Sequence, residues 1–117
     1  VEISIDQQHM WYYKNGKLVV ETDVVTGNYG TSDTPKGAYS IIYKASPATL
    51  MLNSHVTFWL PFTYDGCGIH DASWRSSWEY GGTRYKGHGS HGCVNTPYSA
   101  AKKIYNNISS GTRVVVY

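Results

Sequence analysis

Asn15-Gly16 stands between two runs rich in aromatic and β-branched residues, Met10 to Lys14 and Lys17 to Thr26. An Asn-Gly step readily takes the two positive φ values that a two-residue hairpin turn needs, so these runs are expected to pair antiparallel. Val1-Glu2-Ile3-Ser4-Ile5-Asp6 alternates apolar and polar residues with the period of a half-buried strand, and reads as a partner of Met10 to Tyr13 across a short turn. Tyr39 to Lys44 and His55 to Phe62, the latter interrupted by Pro61, read as further strands, and the β-branched run of Thr112 to Tyr117 reads as a buried closing strand. One segment alone has a helical period. Thr96 is placed to cap it, Pro97 falls in its first turn, Ala101, Ile104, Tyr105 and Ile108 share a face, and Gly111 lies past its end. The expected fold is a mainly β sandwich with one helix from the C-terminal half packed outside. At 117 residues it forms one domain, 1–117, long enough to bury roughly two thirds of the surface of its unfolded chain.

Between the strands and the helix, Thr63 to Gly92 is rich in glycine and tryptophan and poor in aliphatic residues, so it reads as the functional loop region. It runs into Gly87-His88-Gly89-Ser90-His91-Gly92-Cys93-Val94-Asn95, which gathers a thiol, imidazoles, a hydroxyl and an amide among three glycines. Gly89 and Gly92 are expected to take backbone conformations closed to other residues, bending the chain and bringing bare N–H groups up to a ligand. Three readings compete: a cysteine nucleophile with a histidine base, a metal site, or a glycine turn around a buried cysteine. A nucleophile at Cys93 needs a base, for which His70 and His91 are candidates. It also needs oxyanion donors, for which the backbone N–H groups of His91, Gly92 and Cys93 are placed. Zinc would use His70, His88, His91 and Cys93, but the single residue between His91 and Cys93 is closer than structural zinc pairs usually stand. Asp71, through its carbonyl or its carboxylate, is placed to orient His70. Asn95 either donates to a substrate carbonyl or ties the loop to the helix start, and Ser90 either bonds an imidazole or closes the turn. Trp74, Trp78, Tyr80 and Tyr85 could wall a groove for a peptide, with Arg84 and Lys86 meeting a carboxylate. His9, His55 and His88 read as surface or structural residues.

Ser90-His91-Gly92-Cys93-Val94-Asn95, with His70 upstream in Gly66-Cys67-Gly68-Ile69-His70-Asp71, resembles the signature of the L,D-transpeptidases of bacterial cell walls. Thr34-Pro35-Lys36-Gly37-Ala38-Tyr39 is similar to that family's Thr-Pro-x-Gly-x-aromatic turn, Thr26-Gly27 falls where the family has a similar pair, and Trp74 follows the upstream histidine as in several members. Nineteen residues separate His70 from Ser90, a little more than the usual gap. The resemblance implies a β-sandwich of mixed sheets and a peptidoglycan L,D-transpeptidase. Cys93 would attack the third residue of a tetrapeptide stem, expel the terminal D-Ala and pass the thioester to an amine of a neighbouring stem, giving a 3→3 cross-link. It implies no cofactor, no metal, and acylation of Cys93 by carbapenems. Catalytic roles would fall to Cys93, His70, His91 and Asp71; the candidate substrate contacts are Ser90, Asn95, Trp74, Tyr80 and Arg84, and of the loop aromatics Trp74 alone is supported by the resemblance. Of the two imidazoles, His70 is the expected base: in an extended segment His91 would stand about 7 Å along the same face as Cys93, whereas His70 approaches from another segment. A thiolate held by an imidazolium would react below the free-thiol pKa of about 8.5. A wall hydrolase that passes the acyl group to water, and a noncatalytic wall-binding module, are the alternatives.

The formal net charge of +2 comes from scattered lysines and arginines with no basic run, which sets nucleic acid aside. Aromatic residues make up 15% of the chain, enough to stack on sugars or peptides or simply to face a sheet. The two cysteines, Cys67 and Cys93, both lie in glycine-flanked segments, and a disulfide between them, which would block the nucleophile, stays open at this point. No apolar run is long enough to span a bilayer. Because Val1 already belongs to a strand pattern, the domain is expected to be excised from a longer exported protein. A wall substrate implies an extracellular location, and the domain is expected to be a monomer.

Overall fold

The computed structural model describes residues 1–50 and 53–117. In chain order the described elements are β1 (Glu2–Ser4), β2 (His9–Lys14), β3 (Lys17–Asp23), β4 (Gly37–Ser40), β5 (Ala48–Thr49), β6 (His55–Val56), β7 (Trp59–Pro61), β8 (Gly68–Asp71), a 3-10 turn (Ser77–Glu79), the single turn α1 (Tyr85–His88), β9 (Val94–Thr96), α2 (Tyr98–Asn107) and β10 (Arg113–Val116). The fold is mainly β, with mixed sheets and one main helix. The hairpin forms at Asn15-Gly16, whose φ values of 53° and 76° place Lys14 opposite Lys17. A five-stranded sheet runs β3-β2-β1-β10-β4, parallel between β1 and β10 and antiparallel elsewhere. A three-stranded sheet runs β7-β8-β9, antiparallel then parallel, and β5 and β6 form a separate pair.

The core fills the space between the two larger sheets. Ile3, Met10, Tyr12, Val114 and Val116 come from the first, Leu60, Ile69 and Val94 from the second, and Ile104 and Ile108 from the helix. Each such side chain contributes on the order of 1.5–3 kcal/mol by leaving water. The closing strand, expected to be buried, is only half so: Val114 and Val116 face the core, while Arg113 and Val115 turn to solvent, since only one face of the five-stranded sheet is covered. The helix starts one residue later than its expected cap. Thr96 is the last residue of β9, fully buried, and its hydroxyl donates to the Val94 carbonyl, so Pro97 stands at the N-cap.

Two segments leave the first sheet and cross to the second, and they position the site. After β3, Val25 exchanges both backbone hydrogen bonds with Asn95 (3.0 and 2.8 Å), and Ser90 N–H donates to the Thr26 carbonyl at 3.0 Å. After β4, Ile41 N–H still donates to Thr112, but Ile42 N–H donates to the Pro61 carbonyl at 2.8 Å and Ala45 to that of Trp59 at 3.0 Å. The run expected as one strand, Tyr39 to Lys44, is therefore divided between two sheets. His55 to Phe62 is also divided, though not at Pro61, which ends the edge strand β7. The break falls at Thr57 and Phe58, whose N–H groups leave the ladder to donate to the Asp71 carboxylate at 2.8–3.1 Å.

Candidate active site

The parallel register of β8 and β9 sets Ile69 opposite Val94 and His70 opposite Asn95. Ile69 and Val94 are buried in the core. Because side chains alternate along a strand, His70 and Asn95 turn to the opposite face, and Cys93, one residue before β9, joins them. There a cavity of about 400 Å³ opens, and His70, Cys93, Asn95, Ser90, His91 and Trp74 all line it.

His70 is buried, and its Nδ1 lies 2.6 Å from the Asp71 carbonyl oxygen. A carbonyl can only accept, so Nδ1 carries the hydrogen and Nε2 of the neutral ring is left with its lone pair. The rings of Trp59 and Trp74 each stand 5.8 Å from the imidazole. Burial lowers the pKa of His70, outweighing the opposite pull of the Asp71 hydrogen bond and charge, while Arg75 lowers it further. Cys93 is half-buried, and its Sγ donates to the Gly66 carbonyl at 3.3 Å. Burial pushes its thiol up to about 11, against a smaller downward effect of the Gly68 backbone. Both shifts favour the uncharged forms. They favour a neutral thiol beside a neutral imidazole over the thiolate and imidazolium expected from the residue types. Such a pair can act by general-base transfer at the moment of attack.

The loop before Cys93 is pinned from several directions. Ser90 Oγ donates to the Cys93 carbonyl and accepts from Gly92 N–H at 3.1 Å, so its hydroxyl closes the turn. Gly92 has φ 129°, and a Cβ there would meet Cys67 Sγ at 3.2 Å. Gly89 does not have the unusual backbone expected of it, its φ being −75°; it is small because the Asn28 Cα would lie 2.4 Å from its Cβ. The Thr34 hydroxyl, fully buried, donates to the Gly92 carbonyl at 2.7 Å and accepts from Gly27 N–H at 2.9 Å. Asn28 Oδ1 accepts from the N–H groups of Gly87 and Gly89. Behind them the buried Gln8 donates to Thr26 Oγ1 at 2.7 Å and accepts from Thr26 N–H at 3.0 Å.

Asp71 uses both of its groups, the carbonyl on His70 and the carboxylate on Thr57 and Phe58. Asn95 is buried, and with its amide assigned so that the oxygen faces Arg75, that oxygen accepts from Arg75 Nε at 2.8 Å and Nη2 at 3.2 Å. Arg75, which sequence reasoning passed over, also donates to the His88 carbonyl at 2.9 Å, stands 3.7 Å from Glu79 and lines the cavity. Trp74 is half exposed at the cavity, and His91 is exposed there. Tyr80 and Arg84, expected to touch substrate, do not line it. The Tyr80 hydroxyl donates to the Ala72 carbonyl, and Arg84 lies with Trp78, Lys86 and His88 around a separate hollow. Tyr85 is buried in the core. His88 is therefore apart from the other proposed zinc ligands, and among the described residues no three His, Cys, Asp or Glu side chains gather to hold a metal ion.

Cys67 lines the same cavity and, like Cys93, is free. Its N–H donates to Thr63 Oγ1 at 2.8 Å, and its thiol fills the space that Gly92 leaves. Serine has nearly the same volume, so Cys67→Ser is expected to keep most of the wild-type turnover. A loss as deep as that of Cys93→Ala, in protein with an unchanged melting temperature, would give Cys67 a direct role.

Comparison with known proteins adds the following. The profile of the L,D-transpeptidase catalytic domain, YkuD, matches residues 1–116. A crystal structure of a Cys-to-Ser mutant of the Enterococcus faecium L,D-transpeptidase is 43% identical with a TM-score of 0.93, covering 99% of this chain and 48% of that one. The catalytic domain of the E. faecium L,D-transpeptidase solved by NMR is 41% identical with a TM-score of 0.86, covering 99% and 94%. The NMR structure of that domain acylated by ertapenem is 40% identical with a TM-score of 0.82, again covering 99% and 94%. The chain thus spans about half the length of the crystallised relative. A search of curated proteins finds no match.

Proposed function

The chain belongs to the family of L,D-transpeptidase catalytic domains, and from that premise we propose that it forms 3→3 cross-links in peptidoglycan through a thioester on Cys93. One observation carries the assignment of roles: Asp71 holds the Nδ1 hydrogen of His70, which leaves Nε2 as the basic nitrogen of a residue that lines the same cavity as Cys93. As Sγ attacks the carbonyl carbon of the third stem residue, Nε2 takes the thiol proton. The carbonyl oxygen becomes an oxyanion. Gly92 N–H is already bound to Ser90 Oγ, so the N–H groups of His91 and Cys93 are the donors proposed for that charge. Donors of this kind are each worth on the order of 10²–10³ in rate. Collapse of the intermediate breaks the peptide bond, the imidazolium returns its proton to the leaving amine, and D-Ala departs. An acceptor amine then attacks the thioester, His70 removes the surplus proton, and the amide forms as the Cys93 thiol is restored.

Because both groups start neutral, the imidazolium and the oxyanion are created together in a partly buried site, where opposite charges stabilise one another more than in water. Trp74 is proposed as a wall for the stem peptide. Ser90 and Asn95 act through the loop and through Arg75 rather than on the substrate, and His91 shapes the oxyanion loop. No cofactor enters the scheme. The ertapenem adduct of the E. faecium domain supports carbapenems as covalent inhibitors of this chain too. A wall substrate supports the proposal of an extracellular location, and a monomer is proposed as the working form.

The test is a mass spectrum after incubation with a disaccharide-tetrapeptide. Loss of D-Ala with formation of a dimer is the expected result. Loss of D-Ala with free tripeptide as the sole product would assign hydrolysis instead, and retention of D-Ala would overturn the proposal.

A further inference from the structure

The cavity around Cys93 is walled mainly by aromatic, small polar and glycine residues, yet an acidic residue, Asp65, also lines it. Asp65 sits on the turn between β7 and β8 and is exposed. Its place is fixed by Thr63, whose hydroxyl donates to Asp65 Oδ1 at 2.5 Å while accepting from Cys67 N–H at 2.8 Å. The next residue, Gly66, carries the carbonyl that accepts from Cys93 Sγ at 3.3 Å. The carboxylate therefore stands one residue from the atom that touches the nucleophile, with one oxygen held and the other turned to no described partner. The guanidinium at the cavity is occupied: Arg75 is shared among Asn95, the His88 carbonyl and Glu79.

We propose that Asp65 recognises a primary ammonium group of a stem peptide bound in this cavity, and so helps to select amine-bearing substrates. The inference rests on the transpeptidase reading above and deepens it. An alkyl amine has a pKa near 10.4 and arrives charged. Asp65 attracts that charged form to the cavity. For an acceptor, the ammonium gives one proton to solvent, the free amine forms its bond to the thioester carbon as the C–S bond breaks, and the second proton passes through His70 to Cys93. A diamino residue of the donor itself would present the same ammonium without reacting. In either case an exposed pair of this kind is worth about 0.2–1 kcal/mol, which is roughly a 1.4- to 5-fold change in KM.

The experiment compares wild type, Asp65→Asn and Asp65→Lys with tetrapeptide donors carrying lysine or norleucine at the third position, and with a lysine-containing tripeptide as acceptor. D-Ala release reports the first stage and dimer formation the second. KM for the amine-bearing partner is expected to rise about 1.4- to 5-fold in Asp65→Asn and further in Asp65→Lys, with the KM for D-Ala release from norleucine donors unaffected. A rise confined to D-Ala release from the lysine donor assigns the ammonium to the donor. One confined to the acceptor dependence of dimer formation assigns it to the acceptor. Both support the proposal. Equal KM values throughout, or an equal rise in the KM for D-Ala release from the norleucine donor, would overturn it while leaving the transpeptidase reading intact. Failure of the wild type to release D-Ala from either donor would overturn both.

Discussion

Treated with a carbapenem, the wild-type protein is expected to give one covalent adduct by intact mass, mapping to Cys93, and Cys93→Ala to give none. Cys93 Sγ is the only protein atom in the scheme that bonds to the acyl carbon, so its removal should reduce acylation at least about 10³-fold. Cys93→Ser should fare little better, because a hydroxyl is harder to deprotonate than a thiol and His70, held neutral by burial, is a modest base. Cys67 lines the same cavity and supplies the control. An adduct that persists in Cys93→Ala, or that maps to Cys67, would sink the assignment of the nucleophile.

The second large effect is expected at His70, and its signature is in the pH profile. With the thiol pushed up to about 11, only about one molecule in 10⁴ carries a thiolate at pH 7, so the wild type depends on a base to generate one during attack. His70→Ala should lose about 10²- to 10⁴-fold in acylation at pH 7. It should then recover roughly tenfold per pH unit as hydroxide replaces the base, levelling off near the thiol pKa of about 11. The sign of the acid limb follows from the depressed pKa of His70. A base must be neutral, so wild-type activity is expected to survive as pH falls through the ordinary histidine value of about 6.5 and to be lost only below it. His91→Ala should keep the shape of the wild-type profile. Alkylation of Cys93 by iodoacetamide provides an independent reading: the neutral pair gives no plateau of reactivity below the free-thiol pKa of about 8.5. A plateau there that vanishes in His70→Ala would mean that the pair rests as thiolate and imidazolium after all.

Local patterns made much of this fold legible. Asn15-Gly16 places a turn by its own backbone preferences, and Ala101, Ile104 and Ile108 declare a helix face, because both signals are contained in a few neighbouring residues. The segments that failed are those decided by distant partners. Nothing within Tyr39 to Lys44 shows that Ile41 will bond to Thr112 and Ile42 to Pro61. The break in His55 to Phe62 was expected at its proline, but a carboxylate fourteen residues downstream takes the N–H of Thr57 instead.

The site divides in the same way. Cys93 and His70 are recognisable by chemical type and by the residues around them, and the register of β8 on β9 then brings them to one face. Their charge states were not recoverable from type, because burial sets them. Thr34 stood within a turn already noticed, without any sign that its hydroxyl would join Gly27 to Gly92. Arg75 had no local signal at all. Its meaning comes from three segments that meet only after folding, whereas Arg84, as attractive in the sequence, faces a different hollow.

The buried Gln8 has a consequence for how Cys93 moves. Its amide clasps Thr26, the Thr26 carbonyl takes the Ser90 N–H, and its own backbone carbonyl takes Val24 N–H. The loop carrying Cys93 is thereby fastened to the first turn of the chain through groups that have no water to fall back on. Local fraying of the loop would leave those groups unsatisfied, which costs about 1–3 kcal/mol apiece. The loop and the N-terminal hairpin therefore form one cooperative unit, opening together when the domain unfolds. Adaptation to different substrates must then come from the rim of the cavity, where Trp74 and His91 stand exposed, while the floor beneath the thiol stays rigid.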